Sequence, residues 1–157
     1  MARLPLIQPD SVDRELADFY DAATDMVGRV PHSIRTVAHS PFLAMLLLPF
    51  NVAVQREWPG THLSGRIKEL VVIKTSQLNE CAYCLAHNTS LGQVAGITEE
   101  HIVALSSDEY RTSDMFDDRE RAAIAWAEHM TRGTAGKNDA VFAQVRAQFR
   151  AIQRLLP

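Results

Sequence analysis

Apolar residues recur along this chain at intervals of three and four, which is the period of one face of an α-helix. The earliest such stripe is formed by Val12, Leu16, Phe19, Tyr20, Ala23 and Val27. No stretch shows the alternation of apolar and polar residues that a half-buried strand requires. The pattern therefore predicts an all-α fold, and 157 residues is a length that suits one domain spanning residues 1–157.

Capping residues and helix breakers divide this pattern into a bundle of about seven or eight helices. The predicted helices run from a cap at Asp10 or Ser11 to about Val27, over Ser33–Ala38, over Phe42–Arg56, from a cap at Ser64 to about Leu78, from near Cys81 to Ala95, from Thr98 to Leu105, from Asp117 to about Thr131, and from Asn138 or Asp139 towards Phe149. Pro49 is expected to kink or split the third helix near Leu46.

The charge and hydropathy of the chain exclude several function classes. A formal charge of −3 and a pI near 6.0 provide no general attraction to nucleic acid or to an anionic membrane. The most apolar run, Pro41–Val54, is shorter than the roughly 20 residues that a bilayer requires, so it is predicted to be a core or interface helix. The first residues contain no apolar signal region, and we expect a cytoplasmic protein.

The two cysteines of the chain lie together in the sequence Cys81-Ala82-Tyr83-Cys84. Their spacing permits a disulfide if the first helical turn has suitable geometry. The unpaired N–H groups at the start of a helix favour a thiolate there. His87 lies three residues after Cys84 on the same helical face, and it could exchange protons with a thiol. Glu69, on the preceding helix, could orient His87 if the two helices pack side by side.

Other interpretations of the same residues remain open at this point. A CxxC sequence alone is a weak signal, and the pair could be buried structural cysteines. Zinc could be held by Cys81, Cys84 and His87 with a fourth ligand from His62, His101 or His129, but the second paired cluster of a structural zinc site is missing. Glu69 alone reads more simply as a solvated charge, and Trp58 and Trp126 as packing residues.

Glu69, the pair Cys81-Ala82-Tyr83-Cys84 and His87 together resemble the signature of the alkyl hydroperoxidase D-like group, within the carboxymuconolactone decarboxylase superfamily. The similarity is strongest over Leu78–His87 and extends over an active-site core of roughly residues 40–130. It implies an all-helical fold with a two-helix hairpin that carries the CxxC sequence. It also implies homo-oligomers, commonly trimers or hexamers, with helices shared between subunits.

The resemblance implies peroxide reduction by a dithiol that needs no cofactor and no metal. Cys84 would attack hydrogen peroxide or an organic hydroperoxide and become a sulfenic acid, and Cys81 would resolve it as a disulfide. His87 and Glu69 would form a proton relay, with Tyr83 and Asn88 in supporting positions. An external thiol, a lipoyl protein or a thioredoxin-like protein would restore the dithiol. No nucleic-acid or membrane partner is implied.

The chain departs from the family pattern at two site positions and at its end. The family often carries a histidine four residues after the second cysteine, where this chain has Asn88, and better-characterised peroxidases carry another inside the CxxC, where it has Tyr83. Family members of this size often add one more apolar helix beyond a terminus like Gln148–Pro157.

Two rival functions stay open beside the peroxidase. One is a redox-sensing helical oligomer without peroxidase turnover, and the other is a decarboxylase-like enzyme in which the cysteines are incidental.

Overall fold

The computed structural model describes residues 3–11, 13–57 and 59–149. The expectations for Val12, for Trp58 and for the segment after Phe149 lie outside this part of the chain. Every regular element within it is helical, so the all-α prediction is confirmed. The chain divides into two compact units, Met1–Arg56 and Glu57–Pro157. No helix among the described residues is both long enough and apolar enough to cross a membrane.

The first unit contains three helices, α1 (Arg14–Val27), α2 (His32–Val37) and α3 (Pro41–Gln55). The predicted cap of α1 at Asp10 or Ser11 is wrong. Residues Pro9–Ser11 form a short 3-10 turn, and the Asp13 carboxylate instead accepts the Leu16 N–H at 3.0 Å. As predicted, α1 ends at Val27, and Gly28 follows it with a φ of +78° that an L side chain rarely adopts.

α3 continues through Pro49 as one helix, so the alternative in which this proline splits the run is wrong. Proline removes one backbone donor and crowds the preceding turn. Leu48 and Val52 are buried on the two sides of it, and their packing against the rest of the unit holds the helix together. The opposite face of α3 is exposed and apolar, and comprises Phe42, Leu43, Leu46, Phe50 and Val54.

The second unit contains α4 (Gly65–Leu78), α5 (Ala82–Val94), α6 (Glu99–Leu105), α7 (Asp118–Thr131) and α8 (Asp139–Gln148). Central α4 packs against both α5 and α7, and α7 packs against α8. Their core includes Leu70, Ile73, Ile97, Leu105, Tyr110, Phe116 and Ile124. Partly buried Trp126 packs against this core, as expected of a packing residue.

α4 and α5 form the predicted two-helix hairpin that carries the CxxC sequence. Ser64 caps α4 by accepting the Ile67 N–H, and the chain reverses at Asn79 and Glu80, where Glu80 adopts a φ of +52°. The two helices approach closely at Gly92, where an added Cβ would lie 2.9 Å from Ile73 Cδ1. The hairpin is therefore a tightly packed support for the residues at the start of α5.

Candidate active site

Cys81 and Cys84 form a disulfide at the turn of the hairpin. Their Cα atoms are 5.3 Å apart, which is within the range that a disulfide can bridge. Both residues are half-buried, so the sulfurs lie at the edge of the packed core. The expectation that the spacing permits a disulfide is confirmed, and this bond is the oxidised form of a vicinal dithiol.

The two cysteines occupy different positions relative to the backbone of α5. Cys81 is the N-cap residue, and its Sγ accepts a hydrogen bond from the Cys84 backbone N–H at 3.2 Å. Cys84 lies within the first turn, and its carbonyl oxygen accepts from Asn88 Nδ2 at 2.8 Å. The sulfur of Cys81 therefore takes the capping role that a serine or aspartate oxygen usually takes.

Tyr83 and His87 form an aromatic pair beside the disulfide. They are four residues apart on α5, and their ring planes are 8° from parallel with centroids 6.4 Å apart. Tyr83 is 52% exposed, whereas His87 is half-buried. The pair gives the site a partly exposed aromatic wall with an imidazole one helical turn from Cys84.

Asn88, one position further along, is turned towards the interior and is 6% exposed. A step of one residue rotates a side chain by about 100° around a helix, so the adjacent residues His87 and Asn88 occupy different environments. The buried position on this part of α5 is therefore filled by an amide that braces the first turn. The imidazole occupies the more accessible position.

Glu69 is buried on α4, with 4% of its surface exposed, and α4 packs against α5. Its interpretation as a solvated charge is therefore wrong. Burial of a carboxylate is unfavourable unless polar partners compensate it, and this gives the residue a specific place in the interior. The structure brings Cys81, Tyr83, Cys84, His87 and Asn88 together on the start of α5 and places Glu69 on the supporting helix; the catalytic role of each stays a prediction.

A buried polar network on the other side of α4 was not singled out from the sequence. Lys74 donates to the Leu105 carbonyl at 2.7 Å and lies 3.9 Å from Glu128, which accepts from the Tyr110 hydroxyl at 2.6 Å and from Arg111 at 2.8 Å. Burial lowers the pKa of Lys74 and raises the pKa of Tyr110. The available signal was a lysine within the apolar stripe of α4.

Two of the three histidines considered as a fourth zinc ligand, His101 and His129, form local hydrogen bonds. His101 Nδ1 accepts from the Thr98 N–H at 3.1 Å while its Nε2 lies 2.9 Å from Arg66 Nη2, and His129 Nδ1 lies 2.8 Å from Thr134 Oγ1. Across the described ranges, no three histidine, cysteine, aspartate or glutamate side chains converge to hold a metal ion. His101 and His129 thus interact with residues at helix ends.

Two solved structures of the debrominase Bmp8 share this fold. A cysteine-to-alanine variant in complex with 2,3,4-tribromopyrrole superposes with a TM-score of 0.75 at 19% identity, covering 94% of this chain and 76% of that one. The apo structure gives 0.71 at 21% identity, with 92% and 74% covered. At this level of identity the likeness concerns the fold alone.

Comparisons of sequence give a relative and a family. An uncharacterized protein, YdfG of Bacillus subtilis (strain 168), is 36% identical over 64 residues, which are 41% of this chain and 42% of that protein. The aligned region thus spans less than half the length of this curated relative. The family model for the carboxymuconolactone decarboxylase family matches residues 50–129, just over half of the 157 residues. The chain therefore belongs to the carboxymuconolactone decarboxylase family.

Proposed function

We propose that this protein is a thiol-dependent peroxidase that reduces hydrogen peroxide or organic hydroperoxides through the Cys81–Cys84 pair. The observation that carries the proposal is the disulfide itself, joining two half-buried sulfurs at the N-terminus of α5. Reactive cysteines commonly occupy such helix starts, where N–H groups stabilise the thiolate. A tightly packed hairpin keeps the two sulfurs within bonding distance of each other.

The proposed cycle begins with the reduced dithiol. The Cys84 thiolate attacks one peroxide oxygen, the O–O bond breaks, and the alcohol or water leaves with a proton, so that Cys84 becomes a sulfenic acid. The Cys81 thiolate then attacks the Cys84 sulfur, and hydroxide leaves and is protonated to water. The product is the Cys81–Cys84 disulfide. An external dithiol, a lipoyl group or a thioredoxin-like protein returns the two electrons.

His87 and Glu69 are proposed to manage the protons of this cycle. His87 is three residues from Cys84 and half-buried, so an imidazole is available to accept the thiol proton and return it to the leaving oxygen. Buried Glu69 on the packed neighbour helix supplies a carboxylate that can orient an imidazole or hold its charged form. The Tyr83 ring lies nearly parallel to the His87 ring beside it.

A second candidate is reductive removal of bromine from an organic substrate, supported by the shared fold with the debrominase Bmp8. As in peroxide reduction, the dithiol gives up two electrons and becomes the disulfide. The Cys84 thiolate takes the bromine, the carbon keeps the bonding pair and accepts a proton, and the Cys81 thiolate displaces bromide to form the disulfide. Bromide release from a brominated pyrrole with a dithiol donor, at a rate exceeding peroxide reduction, would favour this candidate.

The test of the leading proposal is peroxide consumption with dithiothreitol as electron donor. Cys84→Ser is expected to reduce the rate to the uncatalysed background, because the attacking sulfur is removed. Pre-reduced Cys81→Ser, freed of dithiothreitol, should consume about one peroxide per subunit and then stop as a sulfenic acid, because no second cysteine or added thiol resolves it. Exposed Ser90 on the same helix provides the control Ser90→Ala, which should retain the full rate.

Two results would contradict the proposal. A Cys84→Ser variant as active as the wild type would exclude the dithiol cycle. An activity on lactone acids that survives replacement of both cysteines would instead identify a decarboxylase-like enzyme.

A further inference from the structure

The two sulfurs of the disulfide are not equivalent as leaving groups. Cys81 Sγ accepts the Cys84 N–H at 3.2 Å as the N-cap of α5, a helix of 13 residues. Among the hydrogen bonds of the described residues, Cys84 takes part through its backbone N–H and carbonyl and not through its Sγ. Cleavage of the S–S bond therefore releases two sulfurs into different surroundings.

The N–H contact to Cys81 becomes stronger when that sulfur is negatively charged. A disulfide sulfur is a weak acceptor, whereas a hydrogen bond to a thiolate is charge-assisted. The N-terminal end of the α5 dipole adds to the stabilisation within the first turn. A thiolate on Cys81 is thus stabilised by groups that are already in place in the oxidised form.

We propose that the external reductant attacks Cys84, with Cys81 expelled as the thiolate. The sulfur of the more stable thiolate leaves faster in thiol–disulfide exchange, and this selects Cys84 as the sulfur that is attacked. In the step, R–S⁻ bonds to Cys84 Sγ, the Cys84–Cys81 S–S bond breaks, and its electron pair stays on Cys81. The second thiolate of a dithiol reductant then attacks the reductant's first sulfur in this mixed disulfide, the bond from that sulfur to Cys84 Sγ breaks, and the oxidised (disulfide) reductant and the Cys84 thiolate are released.

This inference deepens the proposed function and rests on it in one respect, since it assigns the reducing half of that cycle. The same sulfur, Cys84, then meets both the oxidant and the reductant, while Cys81 remains at its capping position throughout. Asn88, which holds the Cys84 carbonyl at 2.8 Å, keeps the first turn of α5 in place while the S–S bond is exchanged. The partner is defined by its chemistry as a dithiol whose first sulfur can reach Cys84.

The experiment traps the mixed disulfide in the oxidised wild-type protein and needs no peroxide. The protein is mixed briefly with glutathione, quenched with acid, blocked with N-ethylmaleimide and mapped by peptide mass spectrometry. We expect at least about fivefold more glutathione on Cys84 than on Cys81, with maleimide on Cys81 in the same molecules. Equal amounts, or an excess on Cys81, would overturn the assignment.

A second measurement guards against migration of glutathione between the two sulfurs. Reduced Cys84→Ser, which retains the capping thiol, should react with iodoacetamide at pH 6.5 at least about fivefold faster than reduced Cys81→Ser, because more of its thiol is ionised. A slower or equal reaction would also overturn the assignment. Absence of peroxide turnover would remove the proposed function while leaving both of these measurements interpretable.

Discussion

At the scale of single residues, the positions of His87 and Asn88 determine from which side of α5 an imidazole can approach Cys84. His87 stacks on Tyr83 in a half-buried position, and Asn88 faces the interior with its amide on the Cys84 carbonyl. The family resemblance implies an imidazole at the second of these positions. In this chain, the proton carrier is therefore expected to work from the more accessible side of the helix.

His87→Ala is expected to lower the peroxidase rate by about a hundredfold, the lower end of the roughly 10²–10⁴ that general acid–base catalysis by one side chain contributes. Moving the imidazole, in the double variant His87→Ala/Asn88→His, should recover part of the loss and shift the pH profile. Both are measured as peroxide consumption against pH. Exposed His32 on α2 provides the control His32→Ala.

If His87→Ala retains the wild-type rate and pH profile, the relay is excluded and the cysteines act without this imidazole.

The sequence showed that a disulfide was possible because the spacing of Cys81 and Cys84 places them within one turn of a helix. It could not predict that Glu69 is buried. Which side of a helix faces the core is decided by tertiary packing, and a lone glutamate carries no signal of it.

At the scale of elements, α4 and α5 of the hairpin pack closely at Gly92. Its hydrogen faces Ile73 and Ile97, both of which are almost fully buried. A Cβ there would lie 2.9 Å from Ile73 Cδ1 and 3.2 Å from Ile97 Cδ1. The separation of α4 and α5, and so the placement of Glu69 beside the site helix, depends on this position having no side chain.

Gly92→Ala is expected to destabilise the fold by about 1 kcal/mol in urea unfolding, because overpacking of a tight core typically costs about 1–3 kcal/mol and outweighs a helix-propensity gain of about 1 kcal/mol. The loss should shrink in an Ile73→Val background, since valine lacks the Cδ1 atom. Gly136→Ala, where no atom lies within 4 Å, is the matched control. A stabilised Gly92→Ala would show that the neighbouring isoleucines can move.

Several element boundaries were predictable because their signals are local. Ser64 and Asp117, where α4 and α7 begin, act as caps within a few residues of themselves. The start of α1 was predicted wrongly because three acceptable caps, Asp10, Ser11 and Asp13, lie within four residues. The 3-10 turn that favours the third of them has no comparable sequence signal.

At the scale of the whole molecule, α3 presents an apolar face that is exposed to solvent in the single chain. Phe42 is 73% exposed, Phe50 64% and Leu46 57%, and no charged residue interrupts the helix from Pro41 to Gln55. Contiguous apolar surface of this kind marks association sites. An uncharged face can also pair with its own copy without like-charge repulsion, so we propose that α3 contributes to a homo-oligomer.

Leu46→Asp/Phe50→Asp is expected to shift the protein from an oligomer to a monomer in sedimentation velocity, because two carboxylates would be desolvated at the contact. The helical circular dichroism should be retained, since both side chains are exposed in the monomer. Val94→Asp changes an 89% exposed residue on α5 and is the control; it should leave the oligomer's sedimenting mass unchanged. A wild type that sediments as a monomer would refute the proposal.

The apolar run of α3 was predicted to be buried either in the domain or against a partner chain. The hydrophobic periodicity does not distinguish these two kinds of burial. Its residues are apolar on nearly every face, so the pattern identifies a helix without identifying what covers it. The division of the chain into Met1–Arg56 and Glu57–Pro157 likewise has no linker signal in the sequence. The single-domain assignment stays a prediction.

The bond between Cys81 and Cys84 closes a ring of only four residues at the very start of a helix. Opening so short a ring returns about 2 kcal/mol of chain entropy to the unfolded state, less than a longer ring would, and both ends of it remain held by backbone contacts. The scaffold should consequently stay folded on reduction and melt no more than about 10 °C lower when the sulfurs are separate. Electrons can then enter and leave this molecule repeatedly while its architecture stays as it is.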